Sequence, residues 1–197
     1  MKFFFLICLI FLFFTCGTPP KKDSQIQDEI TEVKEVKEPI NVTPLLPEGA
    51  VTANFNGDSL FFYSYVKKNN TKNGITYISF EDELFPEIQI PKSYGATLSF
   101  LKFKGYDRDL LLATVKLKDT SFNKYYVYIL RNNQWKPFVN GFAIHKSNLT
   151  DSLVPIQLDS LDNTKVRRFY SVFDLDNSNN KKYSWRLLEE SIPIESN

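Results

Sequence analysis

From residue 48 onward, the chain alternates hydrophobic and polar positions with the two-residue period of β-strands. The alternation is clearest near the end of the chain, where Tyr183, Trp185 and Leu187 fall on one face of a predicted strand. A second predicted strand has a hydrophobic residue at every other position, namely Leu111, Ala113, Val115 and Leu117. Clusters of Asn, Lys, Asp and Gly separate such segments, which indicates strands joined by turns.

A hairpin is predicted around the dipeptide Asn132-Asn133, because asparagine tolerates the positive φ angles of a tight hairpin turn. The strand before the turn covers residues 125–131, and the returning strand covers residues 134–139. No segment after residue 48 has the pattern of a long helix. We therefore expect one all-β domain over residues 48–197, an antiparallel sandwich or barrel built from hairpins.

Three units of about 50 residues resemble one another within this domain. When Val66, Leu117 and Leu175 are aligned, seven polar-biased residues follow each of them before a second strand begins. Further matches between units are Ile78 with Ile129 and Leu187, Pro86 with Pro137, and Phe55-x-Gly57 with Phe103-x-Gly105. A true repeat would make a β-trefoil or a propeller-like fold the alternatives. An ordinary β-meander of this composition would produce similar coincidences.

Residues 1–15 have the pattern of a secretory signal peptide. Lys2 supplies a positive charge, and residues 3–14 form an unbroken apolar run. As a helix this run would be about 18 Å long, well short of the roughly 30 Å hydrocarbon core of a bilayer. A short positive start before an apolar stretch of this length is typical of a secretory signal.

The run ends in Phe13-Phe14-Thr15-Cys16-Gly17, with no Ala-x-Ala cleavage pattern. This segment resembles a lipobox, the tetrapeptide of bacterial lipoproteins, in its relaxed form, since Phe13 and Thr15 replace the usual Leu and Gly or Ala. The resemblance covers residues 1–17 and implies that Cys16 is acylated and becomes the mature N-terminus. It further implies an exported protein, anchored by lipid in the cell membrane or outer membrane and facing the periplasm or the cell surface.

Residues 16–47 are predicted to form a flexible tether, because they are rich in proline, alternate acidic residues with lysine and contain no aromatic residue. An alternative for residues 24–38 is a short helix, since Ser24 and Gln27 resemble a capping box. Hydrophobic residues also recur there at helical spacing. The solvated spacer is the favoured interpretation.

The charge balance argues against a nucleic-acid partner. The chain has 24 Lys and Arg against 23 Asp and Glu, and removal of Lys2 with the signal makes the counts equal. A nucleic-acid-binding domain would instead carry a basic footprint. Cys8 leaves with the signal and Cys16 is the predicted lipid site, so no disulfide is expected within one chain.

Few residues are available for catalysis or metal binding. His145 is the single histidine, so it would have to be the base of any Ser-His-Asp triad, and no nucleophile motif surrounds it. Zinc needs several His or Cys ligands, which the mature chain does not offer. The segment from Asp174 to Asn179 begins like a calcium loop, but Trp185 stands where a bidentate Glu is required. We therefore predict a polar hairpin loop there, with no metal and no cofactor.

A carboxylate-dependent hydrolase is the remaining enzymatic alternative, since glycosidases use two carboxylates about 5 to 10 Å apart. Most of the candidates lie in predicted turns or near the chain end: Glu81, Asp82, Glu83, Asp107, Asp109, Asp174, Asp176, Glu189 and Glu190. Nothing in the sequence brings two of them together. We expect that the protein is not an enzyme.

Aromatic residues are frequent on the predicted strands, namely Tyr63, Tyr65, Tyr126, Tyr128, Trp135 and Trp185. Such side chains either pack within a sheet or form a surface for sugars and proteins. Together with the anchor and the tether, they favour a lipid-anchored binding module for a protein or glycan ligand. The alternative is a structural accessory subunit of an envelope assembly.

Overall fold

The computed structural model describes residues 45–176 and 182–194. The strands are β1 (Val51–Ala53), β2 (Phe62–Asn70), β3 (Ile75–Phe80), β4 (Ile88–Pro91), β5 (Ala96–Leu101), β6 (Leu110–Lys116), β7 (Phe122–Arg131), β8 (Gln134–His145), β9 (Ile156–Leu158), β10 (Lys165–Asp176) and β11 (Lys182–Pro193). Short 3-10 turns cover Glu81–Glu83 and Lys146–Asn148. In these ranges no helix has the length and hydrophobicity needed to cross a membrane. The predicted signal peptide, Cys16 and the tether up to residue 44 lie outside them.

The strands form three antiparallel sheets, and each sheet is a meander of consecutive strands. Sheet A has the order β1-β2-β3-β4, sheet B has β5-β6-β7-β8, and sheet C has β9-β10-β11. The prediction of an all-β antiparallel fold is confirmed. Within the described residues none of the sheets closes into a barrel. Of the two predicted forms, the sandwich is therefore the one consistent with the structure.

Sheet B is the middle layer, and both of its faces are buried. The odd-numbered residues of β6, from Leu111 to Val115, pack in a core that is shared with sheet A. Leu110 and Leu112 point the opposite way, into a second core that is shared with sheet C. Because successive side chains of a strand alternate between faces, a strand buried on both sides has a continuous hydrophobic run. Burial of β6 on both faces therefore explains its three consecutive leucines, Leu110 to Leu112.

The three similar units of the sequence coincide with the three sheets, and each contributes a long hairpin: β2–β3, β6–β7 and β10–β11. Phe55 and Phe103, the matched aromatic residues of the first two units, are both buried. The matched glycines have φ angles of +78° at Gly57 and +89° at Gly105. Side chains other than glycine rarely adopt such angles. The shared Phe-x-Gly pattern therefore marks a similar loop turn in both units.

The predicted hairpin at Asn132-Asn133 is confirmed. Arg131 pairs with Gln134 across the turn, and the two asparagines have φ angles of 52° and 59°. Both strands are longer than the alternation predicts, since β7 begins at Phe122 and β8 continues to His145. A register shift opposite Tyr126 breaks the alternation of β8 at this point.

Asn133 provides a direct test of this turn. Asn133→Gly is expected to stabilise the protein by about 0.5 kcal/mol, because Asn-Gly is the preferred type I′ pair and glycine adopts positive φ without strain. Asn133→Val is expected to destabilise it by about 1 to 2 kcal/mol, because a β-branched residue is strained in the left-handed region. Urea unfolding followed by circular dichroism measures both changes. Equal stabilities of the two variants would show that the turn is not type I′.

Candidate functional site

Five aromatic rings from four strands form a continuous cluster where sheet B meets the β10–β11 hairpin. We call this cluster the arm patch. Its members are Phe122 from β7, His145 from β8, Phe173 from β10, and Tyr183 and Trp185 from β11. The imidazole of His145 lies parallel to the Trp185 ring, with centroids 5.0 Å apart and planes 14° apart. Phe122 meets Trp185 edge-on at 4.9 Å, and Phe173 lies 5.2 Å from Trp185.

The outer part of the arm patch is open to solvent. Phe173 is 59% exposed and Tyr183 is 66% exposed, although their rings stack on each other with centroids 5.8 Å apart. Cross-strand pairing explains the cluster, because Phe173 pairs with Trp185 and the neighbouring Leu175 pairs with Tyr183, all on one face. Of the described side chains of β10 and β11, only that of Val166 is fully buried. This hairpin therefore presents apolar surface that the domain does not cover.

His145 belongs to this cluster, and its Nδ1 atom also accepts a hydrogen bond from the backbone. The backbone N–H of Ser147 donates to Nδ1, which caps the 3-10 turn at Lys146–Asn148. The Ser147 Oγ lies 2.7 Å from the same nitrogen. Because Nδ1 accepts a hydrogen bond, the neutral ring carries its proton on Nε2. A capping role and stacking on Trp185 are the structural uses of this histidine, for which the sequence predicted no catalytic role.

The four tyrosines singled out in the sequence separate into two classes. Tyr126 and Tyr128 pack in the core between sheets A and B, and burial raises the pKa of Tyr128 well above its ordinary value. Tyr63 and Tyr65 lie half-buried on the outer face of sheet A, with ring centroids 5.9 Å apart. Trp135 packs against the same core and stacks on Phe80 at 4.7 Å.

A shallow cleft opens at Ser79, the residue that pairs with Tyr65 across strands β2 and β3 of sheet A. It is lined by Lys67, Ser79, Glu83, Leu84, Phe85, Pro86 and Glu87. The Nζ atom of Lys67 lies 2.8 Å from Glu87 and 3.2 Å from Glu83. Hydrogen bonds to Glu87 and then Glu83 raise the pKa of Lys67, which favours the protonated amine in this ion-pair cluster. The Ser79 hydroxyl is buried and has no hydrogen-bond partner among the described residues.

The carboxylates considered for hydrolysis are mostly held in ion pairs. These pairs are Glu83 with Lys67, Asp107 with Arg108, Asp174 with Arg186, Glu189 with Arg167, and Glu190 with Arg168. The backbone N–H of Tyr63 donates to Glu81, and the backbone N–H of Asn54 donates to the buried Asp109. Each carboxylate named here is thus used by a neighbouring strand or loop.

The calcium-like segment falls only in part within the described residues. Asp174 lies on β10, with its carboxylate 3.0 Å from Arg186, and Asp176 ends that strand. Residues 177–181 lie outside the described ranges. Within those ranges, His, Cys, Asp and Glu side chains form no group of three or more that could hold a metal ion.

Sequence reasoning found only part of the arm patch. It placed Tyr183 and Trp185 on one face but did not select Phe122 or Phe173. The position of Phe173 depends on the register of the β10–β11 hairpin, and that of Phe122 depends on how this hairpin packs against sheet B. Comparison of the chain with protein-family models, with curated proteins and with solved structures finds no match in any of the three.

Proposed function

We propose that the protein is a lipid-anchored interaction module of the bacterial cell envelope and that its arm patch binds a partner protein. The observation that carries this proposal is the exposure of Phe173 and Tyr183 on a hairpin in which, among the described side chains, only that of Val166 is fully buried. Aromatic side chains that are rigid and partly exposed are enriched at the centres of protein interfaces. The function needs no catalysis and no cofactor.

The chemistry of the patch favours a protein over a sugar. Phe173 has no polar group with which to meet a hydroxyl, and the patch is apolar across several touching rings. Arg186 and Asp174 lie on the opposite face of the same hairpin, 3.0 Å apart. The face that carries the rings is therefore apolar, as the core of a protein interface usually is.

Loss of the exposed rings is expected to abolish partner binding without unfolding the domain. Phe173→Ser and Tyr183→Ser should each reduce partner capture about tenfold or more, because residues at interface centres contribute most of the binding energy. Phe100→Ser is the matched control, since Phe100 is a 46% exposed strand phenylalanine outside the patch. Capture would be measured by cross-linking of tagged full-length protein in cells that produce it, followed by purification.

Thermal unfolding of the three variants shows whether each remains folded. Equal capture by all three folded variants would overturn the arm patch as the binding surface. A partner retained at fixed stoichiometry through purification would identify the protein as an accessory subunit of an assembly, whereas an exchanging partner would identify a recruiting module.

The anchor is tested separately. Cys16→Ala is expected to abolish incorporation of labelled fatty acid into the protein, because the variant lacks the thiol that would carry the acyl chains of the anchor. Equal labelling of the variant and the parent protein would contradict lipidation at Cys16. Protease treatment of intact cells then shows which side of the envelope the domain faces.

A glycan ligand at the cleft of sheet A is the alternative function. The buried Ser79 hydroxyl, which has no hydrogen-bond partner in the described part of the chain, supports it together with the Tyr63 and Tyr65 rings. Tyrosine rings stack on sugar faces, and a hydroxyl and an amine can bond to sugar hydroxyls. Sedimentation with purified peptidoglycan would test it, with Tyr65→Ala expected to lose binding and Phe173→Ser to retain it.

A further inference from the structure

We propose that the outer edge of β11 pairs with the same edge of a second copy, so that two molecules form one continuous antiparallel sheet. In the described part of the chain, no strand pairs with the outer side of β11. In sheets A and B, a fourth strand, β4 or β8, pairs with the second strand of the corresponding hairpin. The outer edge of β11 is therefore open among the described strands of sheet C, whereas the corresponding edges of β3 and β7 are each covered by a fourth strand.

The edge is long and regular. β10 and β11 pair over twelve consecutive positions without a register shift. At its two ends the side chains of Lys182 and Tyr183, and those of residues 189–191, are exposed. An edge of this kind is a template for a further strand.

The direction of the backbone groups can be read from one hydrogen bond. The N–H of Ile194 donates to the carbonyl of Thr164, on the side of β10. Backbone groups of consecutive residues in a strand point to opposite sides. Even-numbered residues of β11 therefore bond to β10, and odd-numbered residues from Tyr183 to Ser191 direct their N–H groups outward. Pro193, which has no N–H, follows in the same outward row, where a proline costs no bond within the sheet.

The charges of β11 select one register. Two antiparallel copies must pair so that side chains of the same face oppose each other. Pairing centred on Leu188 places Arg186 of each copy opposite Glu190 of the other. Pairing centred on Glu189 would oppose like charges, and pairing centred on Leu187 would oppose no charges. Of these three registers, only the one centred on Leu188 forms two attractive charge pairs and no repulsive pair.

The neighbouring strand extends this complementarity. Glu190 already lies 2.7 Å from Arg168, directly across on β10, and Arg186 lies 3.0 Å from Asp174. In the pair of molecules, each Glu190 would lie between Arg168 of its own chain and Arg186 of the other. Tyr170, opposite Leu188 on β10, would flank the two central leucines on either side.

The association is expected to be weak in solution, because a single strand edge buries less than the standard interface of about 1,600 Å². Two anchors in one membrane would raise the effective concentration. The pairing does not rest on the partner proposed for the arm patch, since it uses the outward backbone groups of β11, whereas the patch consists of aromatic rings on one face of the hairpin.

Disulfide cross-linking tests the register. Leu188→Cys would place two sulfurs across a pair without backbone hydrogen bonds, where Cα atoms lie about 4.5 Å apart, within disulfide range. Oxidation of the full chain in detergent should give a covalent dimer for this variant. Glu189→Cys is the matched control, because residue 189 would face residue 187 of the other copy. The parent protein, without the added cysteine, sets the background.

Charge reversal tests the interface itself. Arg186→Glu and Glu190→Arg should each weaken dimerisation about tenfold or more, because each creates two like-charge pairs. An equimolar mixture of the two variants should restore dimers, since each altered charge then meets its opposite. Analytical ultracentrifugation measures all three samples. A monomeric parent chain at concentrations on the order of 100 μM, a range that reveals weak interfaces, or a mixture no better than either variant alone, would overturn the proposal.

Discussion

Replacement of Phe80 by alanine is expected to lower the free energy of unfolding by about 3 to 5 kcal/mol. Phe80 is 1% exposed at the centre of the core between sheets A and B. Its ring stacks on Trp135 at 4.7 Å and meets Phe62 and Phe85 edge-on at 6.4 and 6.3 Å. The variant loses both the transfer free energy of the ring and the contacts of three aromatic neighbours.

Urea unfolding followed by circular dichroism would measure this loss. Phe61→Ala is the matched control, because Phe61 precedes β2 and is 67% exposed. The control is expected to change stability by less than about 0.5 kcal/mol, as surface substitutions usually do. Similar losses for the two variants would show that sheets A and B do not share a core around Phe80.

Adjacent leucines of β6 should both be costly to truncate, which is unusual for a strand. Leu111 is 0% exposed and Leu112 is 6% exposed, and the two side chains lie in different cores. Each substitution by alanine is expected to cost about 2 to 5 kcal/mol. The same denaturation experiment, applied to both variants, measures the effect.

Strand β2 of the outer sheet supplies the comparison. Phe62 points into the core at 6% exposure, whereas Tyr63 lies on the open face. Truncation of Phe62 should therefore be costly, and truncation of Tyr63 should cost less than about 1 kcal/mol. A strong contrast between Leu111 and Leu112, like that expected for β2, would contradict the central position of sheet B.

The sequence predicted the β-class and much of the hairpin structure because these depend on local signals. Alternation located the strand with Trp185, and the pair Asn132-Asn133 located a turn whose conformation these residues tolerate. The sequence could not predict which sheets pack against each other. The leucine run of β6 is consistent with any strand buried on both faces, and its partners are decided by packing between distant segments.

The candidate sites were harder to predict for the same reason. Phe122 and His145 join Trp185 only through the packing of sheet B against the β10–β11 hairpin, whereas Phe173 faces Trp185 through the register of that hairpin. The cleft near Ser79 depends on a turn in which Asp82 and Glu83 adopt φ angles of 46° and 54°. Residues other than glycine seldom adopt such angles, so no local rule anticipates this turn.

The separation of the two tryptophans gives the molecule two independent optical reporters. Trp135 lies against Phe80 in the core of sheets A and B, and Trp185 lies against His145 on the β10–β11 hairpin. Since the chain has only these two indoles, a Trp135→Phe variant would restrict fluorescence emission to the hairpin. Changes in that emission would then report on events at the hairpin, because the core between sheets A and B would contain no emitting indole.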